Sequence, residues 1–358
     1  MTRLRISLLA ALGLYQWMTA SVHAQTSGSI EGWGEDSNSR LNVPEPNNGF
    51  VAIAAGGGGH SLGLRTNGSI EAWGSSTWGQ NNVPEPNTGF IAVAEGTNHS
   101  LGVRTNGSIE AWGRGSFGQI DVPAPNTGFV AVAGGGEHSI GLRADGSIVA
   151  WGSNNWGQLD VPAPNNGFVA VAAGGKHSIG LRIDGSIVAW GLNNLGQLDI
   201  PAPNAGFVAI AGGRDHSLGV RADGSIEAWG SNNSGQLDVP APNTGFVAVA
   251  AGREHSSLGL RADGSIEAWG NSGNGQLNVP VPNTGFVAIA AGGWYGLGLR
   301  ADPCPADLNN DYALDFFDIS SFLTAFSASD PIADFTNDGT FDFFDISAFL
   351  SAFSAGCP

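Results

Sequence analysis

The stretch VAGGGEHSIGLRADGSIVAWGSNNWGQL, residues 132–159, contains the pattern that decides the fold. Residues 129–133, which overlap the start of this stretch, alternate large and small side chains, as expected of a strand near the crowded axis of a propeller. Residues 138–143 and 147–151 predict two further strands, and Asp145-Gly146 between them predicts a hairpin turn with positive φ at both residues. Pro162 and Pro164 lack the N–H that a strand ladder needs, so they mark a link to the next unit.

This unit recurs along most of the chain. The string Gly-Ser-Ile-x-x-Trp-Gly occurs seven times at spacings of 39 or 40 residues, and Gly-Phe followed by alternating Val or Ile and Ala also occurs seven times. Periods near 40 residues with strand signals indicate propeller blades. The chain enters with only a third strand, residues 27–34, and leaves with only the first two, residues 286–302. We therefore predict an all-β seven-bladed propeller over 25–302, with three short antiparallel strands per blade and the termini closing one blade.

The composition and the N-terminus limit the function classes. A 42% hydrophobic content argues against a long disordered chain, and a formal charge of -17 argues against nucleic-acid binding, which needs a basic surface. Arg3 and Arg5 precede an apolar run, and Val22-His23-Ala24 offers small residues for cleavage. This pattern predicts a signal peptide over 1–24, cleaved near Ala24, and an extracellular or cell-surface protein. A membrane anchor is the alternative, although the run is shorter than the ~20 residues that a span needs.

The quoted stretch resembles the regulator of chromosome condensation repeat. Its compact period and its Val-Pro link are similar to a short-repeat bacterial branch, which includes a propeller-type β-lactamase inhibitor protein. The resemblance covers residues 27–302 and implies the propeller fold. It does not imply the nucleosome binding or nucleotide exchange of the eukaryotic namesake, because this chain is acidic, carries an export signal and has no long loop insertions.

Successive strands of a blade run in opposite directions, so alternate loops lie on the same face. Two loops of every blade therefore share one face: the turn before the His-Ser pair and the loop after Trp-Gly. The residue two before Gln in the second loop is apolar in four successive repeats, and polar (Ser234, Asn274) in two others. An exposed apolar arc of this kind is typical of an interface that binds a protein or a glycan. The alternative is that each side chain packs over its own blade edge. The four apolar positions are Trp78, Phe117, Trp156 and Leu195.

The titratable residues of the repeats predict no active site. Six histidines (His60, His99, His138, His177, His216, His255) occupy one repeat position before Ser, which indicates a shared structural hydrogen bond. Glu recurs likewise at 31, 71, 110, 227 and 267, so no carboxylate pair is singled out. We therefore predict a non-catalytic, monomeric binding or structural protein. A glycan-active enzyme of a docked complex and an inhibitor of an extracellular enzyme stay open as alternatives.

After Arg300 the composition changes: ten Asp and no basic residue follow. Two segments shifted by 27 residues carry oxygen side chains at calcium-loop positions, and each precedes apolar residues at helical spacing: Ile319, Phe322, Leu323 and Phe326, then Ile346, Phe349, Leu350 and Phe353. We predict two calcium sites in a small α-helical duplicated domain. The candidate ligands are Asp307, Asn309, Asp311, Ala313 (through its carbonyl), Asp315 and Asp318 in the first loop, and Asp334, Thr336, Asp338, Thr340 (carbonyl), Asp342 and Asp345 in the second.

These duplicated loop–helix units resemble a dockerin module over residues 303–358, which implies calcium-dependent docking to a cohesin-like or surface protein. The pattern departs from the family at Tyr312, where Gly normally makes the turn, and at Thr336, which replaces a carboxylate or amide ligand. In dockerins, loop positions 10 and 11 help to choose the cohesin. Here they are all phenylalanines, for which core packing is the alternative role: Phe316, Phe317, Phe343 and Phe344.

Cys304 and Cys357 are the chain's two cysteines, and they bracket this module. In an exported protein, a disulfide that closes the small domain is the simplest prediction.

Overall fold

The computed structural model describes residues 27–302, 305–309 and 314–355. The predicted signal peptide, both cysteines, Asp311 and Ala313 lie outside the described residues. No helix within the described ranges has the length and apolar character to span a membrane.

Residues 28–301 form the β-strands of the described chain. β1 spans Gly28–Gly34, and the strands that follow come in repeating sets. The first strands of the sets are β2 (Phe50–Ala55), β5 (Phe90–Glu95), β8 (Phe129–Gly134), β11 (Phe168–Ala173), β14 (Phe207–Gly212), β17 (Phe246–Ala251) and β20 (Phe286–Ala291). The second strands are β3 (His60–Arg65), β6 (His99–Arg104), β9 (His138–Arg143), β12 (His177–Arg182), β15 (His216–Arg221), β18 (Ser256–Arg261) and β21 (Tyr295–Ala301). The third strands are β4 (Ile70–Gly74), β7 (Ile109–Gly113), β10 (Ile148–Gly152), β13 (Ile187–Gly191), β16 (Ile226–Gly230) and β19 (Ile266–Gly270).

The strands form antiparallel blades arranged in a ring. Five sheets have three strands each, and a sixth runs in the order β20-β21-β1-β2-β3-β4. The first strands contact one another in succession from β2 to β20, and β20 contacts β2 again. β1 pairs with β21 over its whole length, from Gly28 opposite Ala301 to Gly34 opposite Tyr295. The prediction that the entering strand completes the sheet of the leaving strands is confirmed, and it covers edges that would otherwise be open.

Each blade needs its neighbour to complete its core. Ile140, Leu142 and Ile148 are buried against Phe168 and Trp190 of the following blade. The indole Nε1 of Trp190 donates to the Gln158 carbonyl of the preceding blade at 3.0 Å. The recurring Phe and Trp therefore join blades, and a single repeat could not bury its apolar face alone.

Each Pro-rich link runs along the outer edge of a blade. The second proline of each link follows a cis peptide bond, as at Ala163-Pro164, and an asparagine comes next. The Asn165 side chain accepts from Ile148 N and donates to Ile148 O, both at 2.8 Å. These two bonds satisfy the outer edge of β10 and recur at every third strand, through Asn47, Asn87, Asn126, Asn204, Asn243 and Asn283.

The predicted hairpin geometry is wrong at its first residue. Gly146 has φ +76°, but Asp145 does not adopt positive φ. The turn instead closes by a bond from Gly146 N to Arg143 O, and the Asp145 carboxylate accepts from Ser147 N and Ser147 Oγ. Because these hydrogen bonds to the carboxylate stabilise the turn, only the glycine has to adopt the left-handed region.

The tail contains two helices, α1 (Phe316–Ser327) and α2 (Phe343–Ala355). Phe322 and Phe349 are buried and stack with ring centroids 4.1 Å apart. Leu323 and Leu350 belong to the predicted apolar faces but are exposed, because burial in this small core centres on the Phe322–Phe349 pair.

Candidate functional site

The two variable loops of each blade lie together at one end of the propeller. Ser153, after β10, donates from its backbone N to the Glu137 carbonyl in the turn before β9, at 2.9 Å. The same backbone bond recurs in other blades, for example from Ser75 to Gly59 and from Ser231 to Asp215. We call this end the loop face.

Four apolar side chains project from the loop face at equivalent positions. Trp78, Phe117, Trp156 and Leu195, here called the binding arc, are 37–49% exposed. Their backbones are held by glutamine side chains, as where Trp156 N donates to Gln158 Oε1 at 2.9 Å. The same bond holds Ser234 and Asn274, so the loop does not need an apolar side chain to fold. The partial exposure leaves these side chains available to a partner.

Cationic side chains lie against the rings of the binding arc. The Arg114 guanidinium carbon is 5.0 Å from the ring centroids of both Trp78 and Phe117, and Lys176 Nζ is 4.7 Å from that of Trp156. Contacts of this kind are worth roughly 0.5–1 kcal/mol at exposed sites. The arc therefore presents apolar and positive surface side by side.

The basic residues of the propeller fall into two groups by position. Seven arginines end the second strands, away from the loop face. Each lies 4.2–5.0 Å over the phenylalanine of its own blade and donates to a carbonyl of the Pro-rich link. The five basic residues outside this ring all lie in loops of the loop face: Arg40, Arg114, Lys176, Arg214 and Arg253.

Five of the six predicted structural histidines form one repeated hydrogen bond. His138 Nε2 lies 3.0 Å from Ser178 Oγ of the next blade, whose hydroxyl donates to the Gln158 carbonyl. His60, His99, His177 and His216 make the equivalent contact. Burial lowers the pKa of His138 to about 4 and, with the neighbouring histidines, that of His177 to about 3. These rings are neutral, and they join blades.

The predicted shared hydrogen bond is not formed by His255. The turn before β18 has one extra residue, so Ser256 occupies the histidine position and pairs with Gly270. His255 is displaced with φ +64°, and its Nδ1 lies 2.9 Å from Gln236 Nε2. The sequence indicates this extra residue in two ways: the serine is doubled, as Ser256-Ser257, and the repeat has a spacing of 40 residues.

The recurring glutamates are partners of the arginine ring. Glu71 lies 3.2 Å from Arg65 and Glu110 lies 3.2 Å from Arg104. Glu31, Glu227 and Glu267 pair in the same way with Arg300, Arg221 and Arg261. Their shared role is therefore structural.

The second loop of the tail is described throughout and is curled by its own carboxylates. Asp334 accepts from Gly339 N at 2.9 Å, and Gly339 has φ +78°. Asp345 is fully buried and accepts from Asp342 N and Thr336 N, and these two bonds lower the pKa of its carboxyl. Across the described ranges, no three acidic, histidine or cysteine side chains converge as a metal-holding group.

The first tail loop is described only in part, but its end matches the second. Asp318 is fully buried and accepts from Leu308 N and Asp315 N, as Asp345 does from Thr336 N and Asp342 N. The four loop phenylalanines begin the helices and are not in the core: Phe316, Phe317, Phe343 and Phe344 are 65–73% exposed.

Comparison with known proteins identifies the repeat. The model of the Regulator of chromosome condensation (RCC1) repeat matches residues 129–158, 168–197 and 207–236. Three successive repeats of the propeller therefore match the RCC1 repeat. Each matched RCC1 repeat starts at the phenylalanine of a first strand and ends at the loop glutamine, so it contains the buried histidine and one residue of the binding arc or its polar equivalent. No curated protein matches the chain in sequence.

Solved structures show the same fold. Prp20p from Saccharomyces cerevisiae, studied for its binding to Gsp1p and histones, superposes with a TM-score of 0.68 at 17% identity, over 88% of this chain and 98% of that one. Human WBSCR16 gives a TM-score of 0.61 at 16% identity, covering 77% and 99%. The ectodomain of the receptor kinase CR4 from Physcomitrella patens gives 0.58 at 23% identity, covering 70% of each chain. The RCC1-like propeller fold is thus shared with these proteins at low identity.

Proposed function

We propose that the protein is an exported, non-catalytic binding protein whose propeller recognises a protein partner through the binding arc. The observation that carries the proposal is the row of four partly exposed apolar side chains at equivalent positions, beside equivalent positions that are polar. Interface centres are enriched in aromatic side chains and arginine. Protein binding by the RCC1-like Prp20p agrees with this role.

The seven-blade count is part of the proposal. The six-stranded sheet is joined at a single paired position, Gly28 opposite Phe50, whereas β1 pairs with β21 over seven positions. Dividing that sheet between β1 and β2 leaves two units of three strands, which join the five other sheets.

We also propose that the tail is a dockerin-like tether that binds two calcium ions. Asp334, Asp338, Asp342 and Asp345 would hold one ion with the Thr340 carbonyl and Thr336, whose hydroxyl oxygen keeps a free lone pair while it donates to Asp345. The turn at Gly339 supports this fit, since calcium loops need a sharp turn at that position. The first loop would use Asp307, Asn309, Asp311, the Ala313 carbonyl, Asp315 and Asp318.

The surface of the tail helices suggests how the tether is recognised. Phe316 and Leu323 are seven residues apart on α1, and Phe343 and Leu350 repeat this pair on α2. All four are exposed, so each helix carries one apolar stripe towards solvent. A cohesin-like or surface protein that covers such stripes is the proposed partner, and a Cys304–Cys357 disulfide would close the module.

A matched pair of variants tests the binding arc. Full-length protein is immobilised and challenged with proteins and glycans from its own extracellular medium, beside the triple variant Trp78→Ala, Phe117→Ala, Trp156→Ala. The control is Ile183→Ala, which removes a side chain that is 69% exposed in a hairpin turn away from the loop face. We expect a protein ligand that the wild type and the control retain and the triple variant loses at least tenfold. Equal retention by a folded triple variant contradicts the proposal, and a ligand that proves to be a glycan corrects its class.

Calcium titration tests the tail. Calorimetry on the full chain should give two sites, and Asp334→Ala should leave one. Asp330→Ala is the control, because Asp330 lies outside both loops. An unchanged stoichiometry in Asp334→Ala, or no saturable binding by the wild type, would contradict calcium docking.

A further inference from the structure

A cavity of about 130 Å³ lies where the first strands converge on the propeller axis. Its lining consists mainly of glycines and alanines from the ends of the first strands and the turns that follow them. The polar side chains among the lining residues are those of Glu95, Thr97, Arg214 and Arg253. The cavity therefore opens within the loop face and is separate from the binding arc.

The repeats differ at the mouth of this cavity. The second residue of each turn is glycine in four blades: Gly57, Gly136, Gly175 and Gly293. It is Thr97 in one blade and arginine in two successive blades, Arg214 and Arg253. Since the fold accepts glycine here, the two arginines are not required to build the turn.

Arg253 extends across the axis. Its guanidinium donates to Thr97 Oγ1, which belongs to a blade on the other side of the cavity. A Cβ atom on Gly57 would collide with Arg253 Cδ, so the glycine leaves room for the side chain to cross. The guanidinium is therefore held beside the cavity.

The partly buried Arg253 forms no ion pair with any described residue. Within the described part of the chain, no carboxylate lies within 4.0 Å of it, and the neutral Thr97 hydroxyl is its one hydrogen-bond acceptor. Arg214, in contrast, lies 3.4 Å from Asp215 and 3.9 Å from Glu254. A guanidinium has five N–H donors, and the Arg253 nitrogens that have no acceptor stay accessible to solvent, where an anion can reach them.

The charges around Arg253 favour the binding of an anion beside it. Burial, and then the nearby positive charge of Arg214, lower the pKa of Arg253, and Glu254, Asp215 and Glu137 only partly oppose this. The cavity's own carboxyl, Glu95, has its pKa raised well above the usual value by burial, so its neutral form is favoured and repels an anion little.

We infer that the axial cavity is a binding site for a carboxylate, held by Arg253 and Arg214. A carboxylate matches the planar fork of a guanidinium and would occupy donors that are otherwise unused. The volume has room for a few water molecules, which suits a small carboxylate or a single acidic side chain. The site does not depend on the role proposed for the binding arc.

Calorimetric titration of the full-length protein with sodium acetate, against sodium chloride at equal ionic strength, tests the site. We expect saturable acetate binding that Arg253→Gln weakens at least tenfold and Arg253→Lys weakens less, because lysine keeps the charge but loses the fork. Arg114→Gln is the matched control, since it removes the same charge from the loop face at the arc. If acetate does not saturate, or binds Arg253→Gln as tightly as the wild type, the inference is wrong.

A second titration separates the two sources of the carboxylate. A blocked Gly-Asp-Gly peptide carries the same group on a chain, so binding of both ligands supports entry of a partner's acidic side chain, and binding of acetate alone supports a free small carboxylate. Thermal unfolding in chloride tests independently whether Arg253 already has a counterion within the protein. Arg253→Gln should melt at the same temperature as the wild type or higher, because it removes an uncompensated charge, and a large drop would show that Arg253 already has its partner.

Discussion

At the scale of single residues, the positions that depart from the repeat are the informative ones. The last residue of the first strand is Ala55, Ala173, Ala251 or Ala291 in four blades, glycine in two, and Glu95 in one. The Glu95 carboxyl is buried, and in the described chain neither of its oxygens has a hydrogen-bond partner. It lies 3.9 Å from His60 Nε2, yet burial lowers the pKa of His60 to about 4 and raises that of Glu95, so both are neutral and form no ion pair.

Glu95→Ala should therefore stabilise the protein. The raised pKa means that the unfolded chain ionises this carboxyl at lower pH than the folded chain does, so the native state is penalised once the pH exceeds about 4.5. We expect an increase of about 1–3 kcal/mol in the free energy of unfolding at pH 7.5 and a smaller one at pH 5, measured by urea denaturation. Glu110→Ala is the control and should give no increase, because Glu110 pairs with Arg104. A less stable Glu95→Ala variant would show that the carboxyl has a favourable partner.

The buried histidines predict acid sensitivity. Each is neutral in the fold with a pKa near 3 or 4, whereas in the unfolded chain it takes a proton near pH 6.5. Stability should therefore fall as the pH drops from about 6.5 towards 4. His138→Gln removes one of these protonation steps. Between pH 6.5 and 4.5, the free energy of unfolding of this variant should therefore depend less steeply on pH than that of the wild type, by up to ~1.4 kcal/mol per pH unit in urea denaturation. Parallel pH profiles for variant and wild type would contradict the neutral assignment.

At the scale of elements, the sequence predicted the strands well and the link poorly. Alternation and glycine punctuation predicted strands at 129–133, 138–143 and 147–151, each within one residue of β8, β9 or β10. The asparagine after the second proline was missed, because a side chain that imitates a neighbouring strand leaves no trace in hydrophobic periodicity. The one available signal was its recurrence in every link, as at Asn165 and Asn204.

Asn165→Ala should cost about 1–3 kcal/mol of unfolding free energy, because Ile148 N and Ile148 O would both lose their partner at a half-buried edge. Chemical denaturation is the measurement. Asn155→Ala is the control, since Asn155 is exposed in the loop that bears Trp156. Equal stability of the two variants would mean that water replaces the asparagine at no cost.

At the scale of the whole molecule, the number and spacing of the repeats predicted the propeller and the way in which its ends meet. The spacing alone showed that pieces of 27–34 and 286–302 make one unit, and β1 pairs with β21 accordingly. The candidate sites were less accessible to sequence reasoning. The exposed arc followed from strand parity, but the axial cavity did not, because Thr97 and Arg253 are 156 residues apart and meet only when the ring closes. The displaced His255 was missed because one inserted residue changes the local register without changing the motif.

Hydrogen–deuterium exchange with the ligand captured by the arc experiment is the most direct test of partner recognition on the loop face. The binding arc predicts slower exchange in the loops at 75–79, 114–118, 153–157 and 192–196, with little change in the hairpin turns at 66–68, 105–107, 144–146 and 183–185. Protection confined to those hairpin turns, or spread evenly around the ring, would contradict the account.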